Sequence, residues 1–164
     1  MPASLPDANT LIARLADAIA PTLTPDTFIV GIHTGGAWVA ERLHALLGCK
    51  QPLGVLDISF YRDDFSRIGL HPQVKPSNLP FELEGGTILL VDDVLHSGRT
   101  VRAAMNELFD YGRPASIRLA VLVDRGGREL PIRPDFVGLT VDIPDHQNVN
   151  LSRLDDGHLT LSIA

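Results

Sequence analysis

The sequence predicts an α/β fold with a mostly parallel, doubly wound sheet, and three observations favour this class. Short apolar runs alternate with amphipathic helical patterns, as they do when helices connect parallel strands. Polar and glycine-rich segments follow several of the apolar runs, at the strand ends where open α/β sheets bind ligands. With 164 residues and 45% apolar composition, the chain can bury a substantial core, so we expect one domain spanning residues 1–164.

The first half of the chain contains two predicted helices and two predicted strands. Apolar residues recur with a helical period after Asp7 and stop before Pro21, and Gly48 is typical of a helix C-terminus. We expect a helix over 11–19, a strand over 28–32, a helix over 38–47 and a strand over 53–60. Residues 61–86 show no strong periodicity and are predicted to form a long loop, which compact domains rarely keep without a function.

The second half continues the alternation. An apolar strand over 88–91 leads through a loop into a helix that stops at Gly112. One buried face of this helix is predicted from the spacing of Val101, Met105, Leu108 and Phe109. Further strands are expected over 116–123 and 136–143, a glycine- and arginine-rich excursion over 124–134, and a final hairpin that turns at Asp155-Asp156-Gly157.

The most informative motif follows the strand at 88–91. The apolar run meets two carboxylates, Asp92 and Asp93, before the chain enters the next helix. The connecting segment, here called the phosphate loop, consists of His96, Ser97, Gly98, Arg99 and Thr100. Its backbone N–H groups and the helix dipole would hold a phosphate, while the carboxylates would accept hydrogen bonds from sugar hydroxyls. The implied ligand is a sugar phosphate; the alternative is an ordinary strand-to-helix turn.

A second candidate motif is Gly31-Ile32-His33-Thr34-Gly35-Gly36, here called the glycine loop. It also runs from a predicted strand into a predicted helix, which we expect to begin near Ala37. Small residues allow backbone amides to close on an anion, so Thr34, Gly35 and Gly36 are candidates for binding a second phosphate group. The alternative is that the glycines are required only for a tight turn.

Several classes of protein are disfavoured by composition. The chain has no run of 18 or more apolar residues and no secretory signal pattern, so we expect a cytoplasmic protein without a membrane segment. Cys49 is the only cysteine, which excludes an intrachain disulfide and a cysteine-based zinc site. The six histidines are scattered, so we expect no metal site built by the protein alone.

The segment VDDVLHSGRT over 91–100 is similar to the phosphoribosyl pyrophosphate (PRPP) motif of the type I phosphoribosyltransferases. That motif is an apolar strand, two acidic residues and a Thr/Ser-Gly-x-Thr loop. Segments 56–64 and 113–132 resemble the uracil-specific members that also regulate pyrimidine genes, so the resemblance covers about 28–138. It implies a type I phosphoribosyltransferase-like sheet with a small hood and a flexible lid loop.

The resemblance implies a reaction and its residues. Uracil and PRPP would give UMP and diphosphate, with Asp92, Asp93 and Arg62 as catalytic residues. The phosphate loop would bind the ribose phosphate, and the glycine loop the diphosphate. Mg²⁺ would be carried in with PRPP and contacted by Asp92 and Asp93, directly or through water.

Two further segments take roles from the resemblance. The lid would span about 61–86, and the base hood about 124–135. In the hood we expect Val123, Asp124 and Arg125 to contact the base, through backbone groups and a stacked guanidinium. The alternative is that this arginine-rich loop is simply exposed surface.

The chain departs from the family pattern at Gly35, where these proteins usually carry an arginine that supplies charge to the diphosphate. The loss of such a contact costs on the order of 2–4 kcal/mol of transition-state stabilisation. Arg62, Lys75 or Arg125 are the candidates to replace it. The alternatives to an active uracil enzyme are therefore a nucleotide-sensing regulator with weak or no catalysis, or a transferase for another base.

The resemblance also implies a homodimer or higher homo-oligomer that binds the leader mRNA of a pyrimidine operon. The formal net charge of −6 argues against a generally basic RNA-binding face. A local basic patch is predicted between Arg113 and Arg133, because this segment contains five arginines and two acidic residues.

Overall fold

The computed structural model describes residues 5–58 and 77–164. Within these residues the helices are α1 (Ala8–Ile19), α2 (Gly35–Leu47) and α3 (Arg99–Tyr111), with a 3₁₀ turn at Ala20–Thr22. The strands are β1 (Thr27–Ile32), β2 (Gly54–Leu56), β3 (Thr87–Leu95), β4 (Ser116–Asp124), β5 (Phe136–Thr140), β6 (Val149–Arg153) and β7 (Leu159–Ile163).

The central sheet has the strand order β2-β1-β3-β4-β5, and all four of its pairings are parallel. Helices cover both of its faces: α1 and α2 pack on one face and α3 on the other. The α/β, doubly wound prediction is confirmed. Because all five strands run in the same direction, their carboxyl ends lie along a single edge of the sheet.

Alternating side chains of the strands build the two halves of the core. In β3, Leu89 and Val91 pack towards α1 and α2, whereas Ile88 and Leu90 pack towards α3. A strand buried on both faces reads as a continuous apolar run, which explains the composition of this segment. Strand β3 is therefore packed into the core on both of its faces. The carboxyl end of β3 lies at the edge of the sheet where a site is expected.

Several element boundaries differ from the sequence predictions. Strand β3 continues through Asp92 and Asp93 to Leu95, because its backbone stays in register with β4 whatever the polarity of its side chains. Helix α2 begins at Gly35 rather than near Ala37, so Gly35 and Gly36 belong to its first turn. Strand β5 ends at Thr140, earlier than expected.

The predicted buried face of α3 is partly wrong. Val101 and Leu108 are buried and Met105 is half-buried, but Phe109 is 56% exposed. The buried face instead includes Ala104 and the carboxylate-bearing Glu107. Glu107 Oε1 accepts a hydrogen bond from Ser77 Oγ at 3.0 Å, which compensates for burying a polar group in this position.

The ends of the chain behave as the sequence predicts. The Asp7 carboxylate caps α1 by accepting from the amide of Thr10. Strands β6 and β7 form an antiparallel hairpin that carries Val149 and Leu159 into the core beside α1.

The predicted strand over 53–60 is observed only at Gly54–Leu56. Residues 59–76, with most of the predicted lid and Arg62, lie outside the described residues.

Gly36 allows α2 to pack closely against β3. A Cβ at this position would lie 2.6 Å from the Val91 carbonyl oxygen and 3.0 Å from Asp92 Cα. Both atoms belong to the backbone of a core strand and cannot move without shifting the sheet. We therefore expect Gly36→Ala to lower the free energy of unfolding by about 1–3 kcal/mol, as overpacking does. Urea denaturation checks this, and Glu41→Ala is the control because this position of α2 is exposed.

Candidate functional site

A cavity of about 620 Å³ opens at the carboxyl edge of the sheet. Residues from β3 form its floor, the glycine loop forms one wall, and the first turns of α3 form the other. Its lining residues are Ile32, His33, Thr34, Gly35, Asp57, Ile58, Asp92, Asp93, Val94, Arg99, Thr100 and Ala103. The N-termini of α2 and α3 thus border one cavity, and each provides amides that a helix cannot satisfy internally.

Asp92 and Asp93 lie between these two helix ends. Asp92 is only 5% exposed, and its Oδ1 accepts from the amide of Asp93 at 2.8 Å. Asp93 Oδ1 accepts from the amide of Val94 at 2.8 Å. Burial, with the neighbouring carboxylate of Asp93 as a second cause, holds the pKa of Asp92 well above its usual range. Ionisation of Asp92 is therefore unfavourable in the ligand-free protein. A hydroxyl donor or a cation beside it would stabilise the ionised form.

The raised pKa of Asp92 predicts that Asp92→Asn stabilises the ligand-free protein. Above the unfolded-state pKa near 3.9, the folded state retains a proton that the unfolded state has lost, so stability falls as pH rises. Asparagine removes this penalty. Without nucleotide or divalent cation, we expect Tm to rise by roughly 2–4 °C at pH 8, equivalent to about 1 kcal/mol. The difference should vanish below about pH 4; an equal shift at both pH values would contradict this cause.

The phosphate loop has the backbone geometry of an anion site. Gly98 has a φ of 94° and precedes α3, and Ser97 Oγ accepts from the amide of Arg99 at 3.2 Å. A second cavity of about 50 Å³ is enclosed by the loop, with Asp92, Val94, Leu95, His96, Ser97, Gly98, Thr100 and Val101 around it. It adjoins the larger cavity, since both are lined by Asp92, Val94 and Thr100. The amides at the start of α3 thus border a cradle for a compact anion.

Gly35 is in contact with Asp93. A Cβ at position 35 would lie 2.1 Å from Asp93 Oδ2, so the carboxylate occupies the space that a side chain at Gly35 would need. A side chain at position 35 would therefore require the Asp93 carboxylate to move. The peptide bond between His33 and Thr34, immediately before this helix, is cis.

The charges around the larger cavity are unevenly distributed. Among its described lining residues, three are acidic, Asp57, Asp92 and Asp93, and one is a cationic side chain, Arg99. Arg62 and Lys75 lie outside the described residues, so their predicted contribution stays a prediction. Within 5–58 and 77–164, no cluster of three or more His, Cys, Asp or Glu side chains is arranged to hold a metal ion.

The residues predicted to contact a base do not line this cavity with their side chains. Val123 is fully buried in the core. Arg125 is 3% exposed, and its guanidinium points into the protein, where it donates to the carbonyls of Pro144 and Gln147. Stacking of Arg125 on a ligand is not supported by this geometry. The Asp124 carboxylate is paired with Arg128.

Sequence reasoning missed two features of the site. Asp57 lies directly after β2 and enters the cavity, a position that its place at the end of a strand could have indicated. Arg128 joins the base hood to the phosphate loop, and the only signal for it was the i, i+4 spacing from Asp124. Ser77, in addition, accepts from the amide of Asp57 at 3.0 Å and donates to Glu107, which ties the β2 side of the cavity to α3.

Comparison with known proteins shows what this arrangement is similar to. The family model described as phosphoribosyl transferase domain matches residues 2–154. The chain belongs to the phosphoribosyltransferase family. Curated relatives named Bifunctional protein PyrR are 57% identical in Pseudomonas paraeruginosa, over 90% of this chain and 89% of the relative, and 56% identical in Pseudomonas fluorescens, over 91% of each. Within the family, the chain is thus a close relative of the PyrR proteins.

Solved structures of this family share the fold. A purine phosphoribosyltransferase from Pyrococcus horikoshii is 27% identical, with a TM-score of 0.63 over 82% of this chain and 83% of that one. A hypoxanthine phosphoribosyltransferase from Staphylococcus aureus has a TM-score of 0.60 at 20% identity, covering 85% of this chain and 76% of that one. The predicted type I phosphoribosyltransferase-like sheet is confirmed. No helix in the described part of the chain is long and apolar enough to cross a membrane.

Proposed function

We propose that this protein is a uracil phosphoribosyltransferase that also regulates pyrimidine biosynthesis genes. The observation that carries the proposal is the position of Asp92 and Asp93 between the phosphate loop and the glycine loop at one cavity. The family membership and the identity to PyrR proteins support it, as does the resemblance of 56–64 and 113–132 to uracil-specific enzymes.

In the proposed reaction, N1 of uracil attacks C1′ of PRPP, the bond from C1′ to diphosphate breaks, and the N1 proton is released. Positive character builds on the ribose as diphosphate leaves. Asp92 and Asp93 accept hydrogen bonds from the ribose hydroxyls and stabilise this charge, and the amides of the phosphate loop hold the 5′-phosphate. The first turn of α2, at Gly35 and Gly36, faces the departing diphosphate with the positive end of its dipole.

The residues around the cavity fit a bound Mg²⁺. Their donors are oxygen atoms, which Mg²⁺ prefers, and the described acidic side chains outnumber the single arginine around a cavity proposed to bind a polyanion. Asp92 and Asp93 would hold the ion directly or through water. When bound, Mg²⁺ neutralises charge on the diphosphate leaving group.

The proposed activity is tested by incubating the protein with PRPP, Mg²⁺ and one base at a time: uracil, hypoxanthine, guanine or adenine. UMP formation from uracil, with purine nucleotides formed at least about 100-fold more slowly, is the expected result. Product from a purine alone would support the alternative of a transferase for another base. UMP binding without product from any base would support the alternative of a nucleotide-sensing regulator.

The surface restricts how such a regulator could bind RNA. Of the five arginines between 113 and 133, Arg125 is buried and Arg128 is committed to contacts within the protein. Arg113, Arg118 and Arg133 are exposed. In the proposed regulator, these three arginines and their copies in a homodimer or higher homo-oligomer form the local basic patch.

Binding to a pyrimidine-operon leader transcript should weaken steeply with salt, because each neutralised phosphate releases counterions. UMP should tighten it, since a regulator must couple its two binding sites. Filter binding with and without UMP, against an unrelated RNA hairpin, checks both expectations. Equal affinity for the two RNAs in both conditions would remove RNA contact from the proposal and leave regulation through a protein partner.

A further inference from the structure

Arg128 connects three parts of the site. Its Nη1 donates to the His96 carbonyl in the phosphate loop at 2.8 Å and to Asp124 Oδ1 at the end of β4 at 3.0 Å. Its Nη2 donates to Asp124 Oδ2 at 2.8 Å, and its Nε donates to the Ile132 carbonyl at the far end of the base hood at 2.9 Å. A single guanidinium therefore joins the phosphate loop to both ends of the hood.

Neighbouring contacts follow the same connection. The amides of Glu129 and Leu130 donate to the Ser97 carbonyl at 2.9 and 3.1 Å. The side chain of Ile132 packs on Gly98, where an added Cβ would lie 2.9 Å from Ile132 Cγ1. The ring of His96 covers Gly127 in the same way, at 2.7 Å from a Cβ built there. The hood thus rests directly on the loop that is proposed to bind the ribose phosphate.

The Asp124 carboxylate takes part in this connection with both of its oxygens. Both its oxygens accept from Arg128, and Oδ1 also accepts from the amide of Gly126 at 3.0 Å. Burial alone would raise the pKa of Asp124, but the hydrogen bonds from Arg128 and Gly126 lower it overall. The Asp124 carboxylate therefore remains ionised near neutral pH. Its bidentate contact with the Arg128 guanidinium is charge-assisted and stronger than one between neutral groups.

We infer that Arg128 is a positioning residue, which with Asp124 fixes the base hood relative to the phosphate loop so that base and 5′-phosphate are recognised as one ligand. The inference rests on the proposed function, because it assigns the two segments to the two ends of the same nucleotide. Arg128 acts through the backbone of His96 and Ile132 and does not itself touch the nucleotide. A lysine cannot replace it, because an ammonium group lacks the planar fork that reaches the carboxylate and two carbonyls together.

The test compares the affinities of UMP and uridine by calorimetry, together with steady-state UMP synthesis. In the wild-type protein UMP should bind far more tightly than uridine. Arg128→Ala should reduce this ratio of affinities at least tenfold and lower kcat/KM by about 100-fold, since small displacements of binding groups carry costs of this size. Arg128→Lys should also lower the ratio of affinities and kcat/KM, but by smaller factors. Arg14→Ala, an exposed arginine on α1 with no role in the site, is the control and should leave the ratio unchanged.

A double-mutant cycle with Asp124→Asn separates positioning from a direct base contact. If the two residues act as a pair, the effects of Asp124→Asn and Arg128→Ala should be strongly non-additive. An unchanged UMP-to-uridine ratio in folded Arg128→Ala or Arg128→Lys protein, or additive effects in the cycle, would overturn the inference. A wild-type protein that forms no UMP would instead overturn the proposed enzyme, and the binding ratios would still decide the role of Arg128.

Discussion

Replacing Asp92 and Asp93 together by asparagine is expected to abolish detectable UMP formation and to weaken UMP binding markedly. The two carboxyl groups lie on the cavity floor, and they are proposed to stabilise positive character on the ribose as diphosphate leaves. Loss of one such preorganised group typically costs about 10²–10³ in kcat. Because Asp92→Asn alone is expected to stabilise the ligand-free protein, the loss of activity should occur in a folded chain.

A matched control for this double variant exists elsewhere in the chain. Asp155 and Asp156 are also adjacent, but they lie exposed in the turn between β6 and β7. Asp155→Asn/Asp156→Asn also removes two adjacent carboxyl groups and should retain wild-type synthesis of UMP. The assignment of the sugar site would be refuted by unchanged UMP affinity in a folded Asp92→Asn/Asp93→Asn protein.

The second large effect is expected at Gly98. This residue has a φ of 94°, which non-glycine residues rarely adopt, and a Cβ would meet Ile132 Cγ1 at 2.9 Å. Gly98→Ala should therefore move the phosphate loop away from the hood and tilt the first amides of α3. Backbone strain of this kind costs on the order of 1–3 kcal/mol, so we expect UMP affinity to fall at least about tenfold.

Gly157→Ala separates strain from loss of the site. Gly157 has a φ of 88°, but a Cβ there meets nothing within 4 Å, and the residue lies in the hairpin turn. This variant should lose stability through backbone strain while it binds UMP normally. Equal UMP affinities of the Gly98 and Gly157 variants, measured by calorimetry on folded protein, would argue that the phosphate loop does not contact the nucleotide.

Much of the site could be predicted from the sequence because its signals are local. Asp92, Asp93 and the phosphate loop are contiguous in the chain, and a strand followed by a helix brings such residues together through backbone geometry alone. The glycine loop is similar, although helix α2 starts earlier than its apolar pattern suggests, since Gly35 and Gly36 contribute no hydrophobic side chain to the periodicity.

The base hood could not be predicted in the same way. Three arginines, Arg125, Arg128 and Arg133, lie in this irregular segment and look alike in sequence, and only tertiary contacts decide which of them turn inward. Arg125 donates hydrogen bonds to the carbonyls of Pro144 and Gln147, and Arg128 donates to the carbonyl of His96. These partners are distant from the two arginines in the chain. Phe109 shows the opposite case, because its spacing fits the buried face of α3 but its side chain is 56% exposed.

A crystal structure of the complex with UMP would locate the nucleotide phosphate. We expect the 5′-phosphate to lie within hydrogen-bond distance of the backbone amides between Ser97 and Thr100, with the ribose hydroxyls on Asp92 and Asp93. A phosphate bound elsewhere, with the phosphate loop making no contact to UMP, would contradict this expectation.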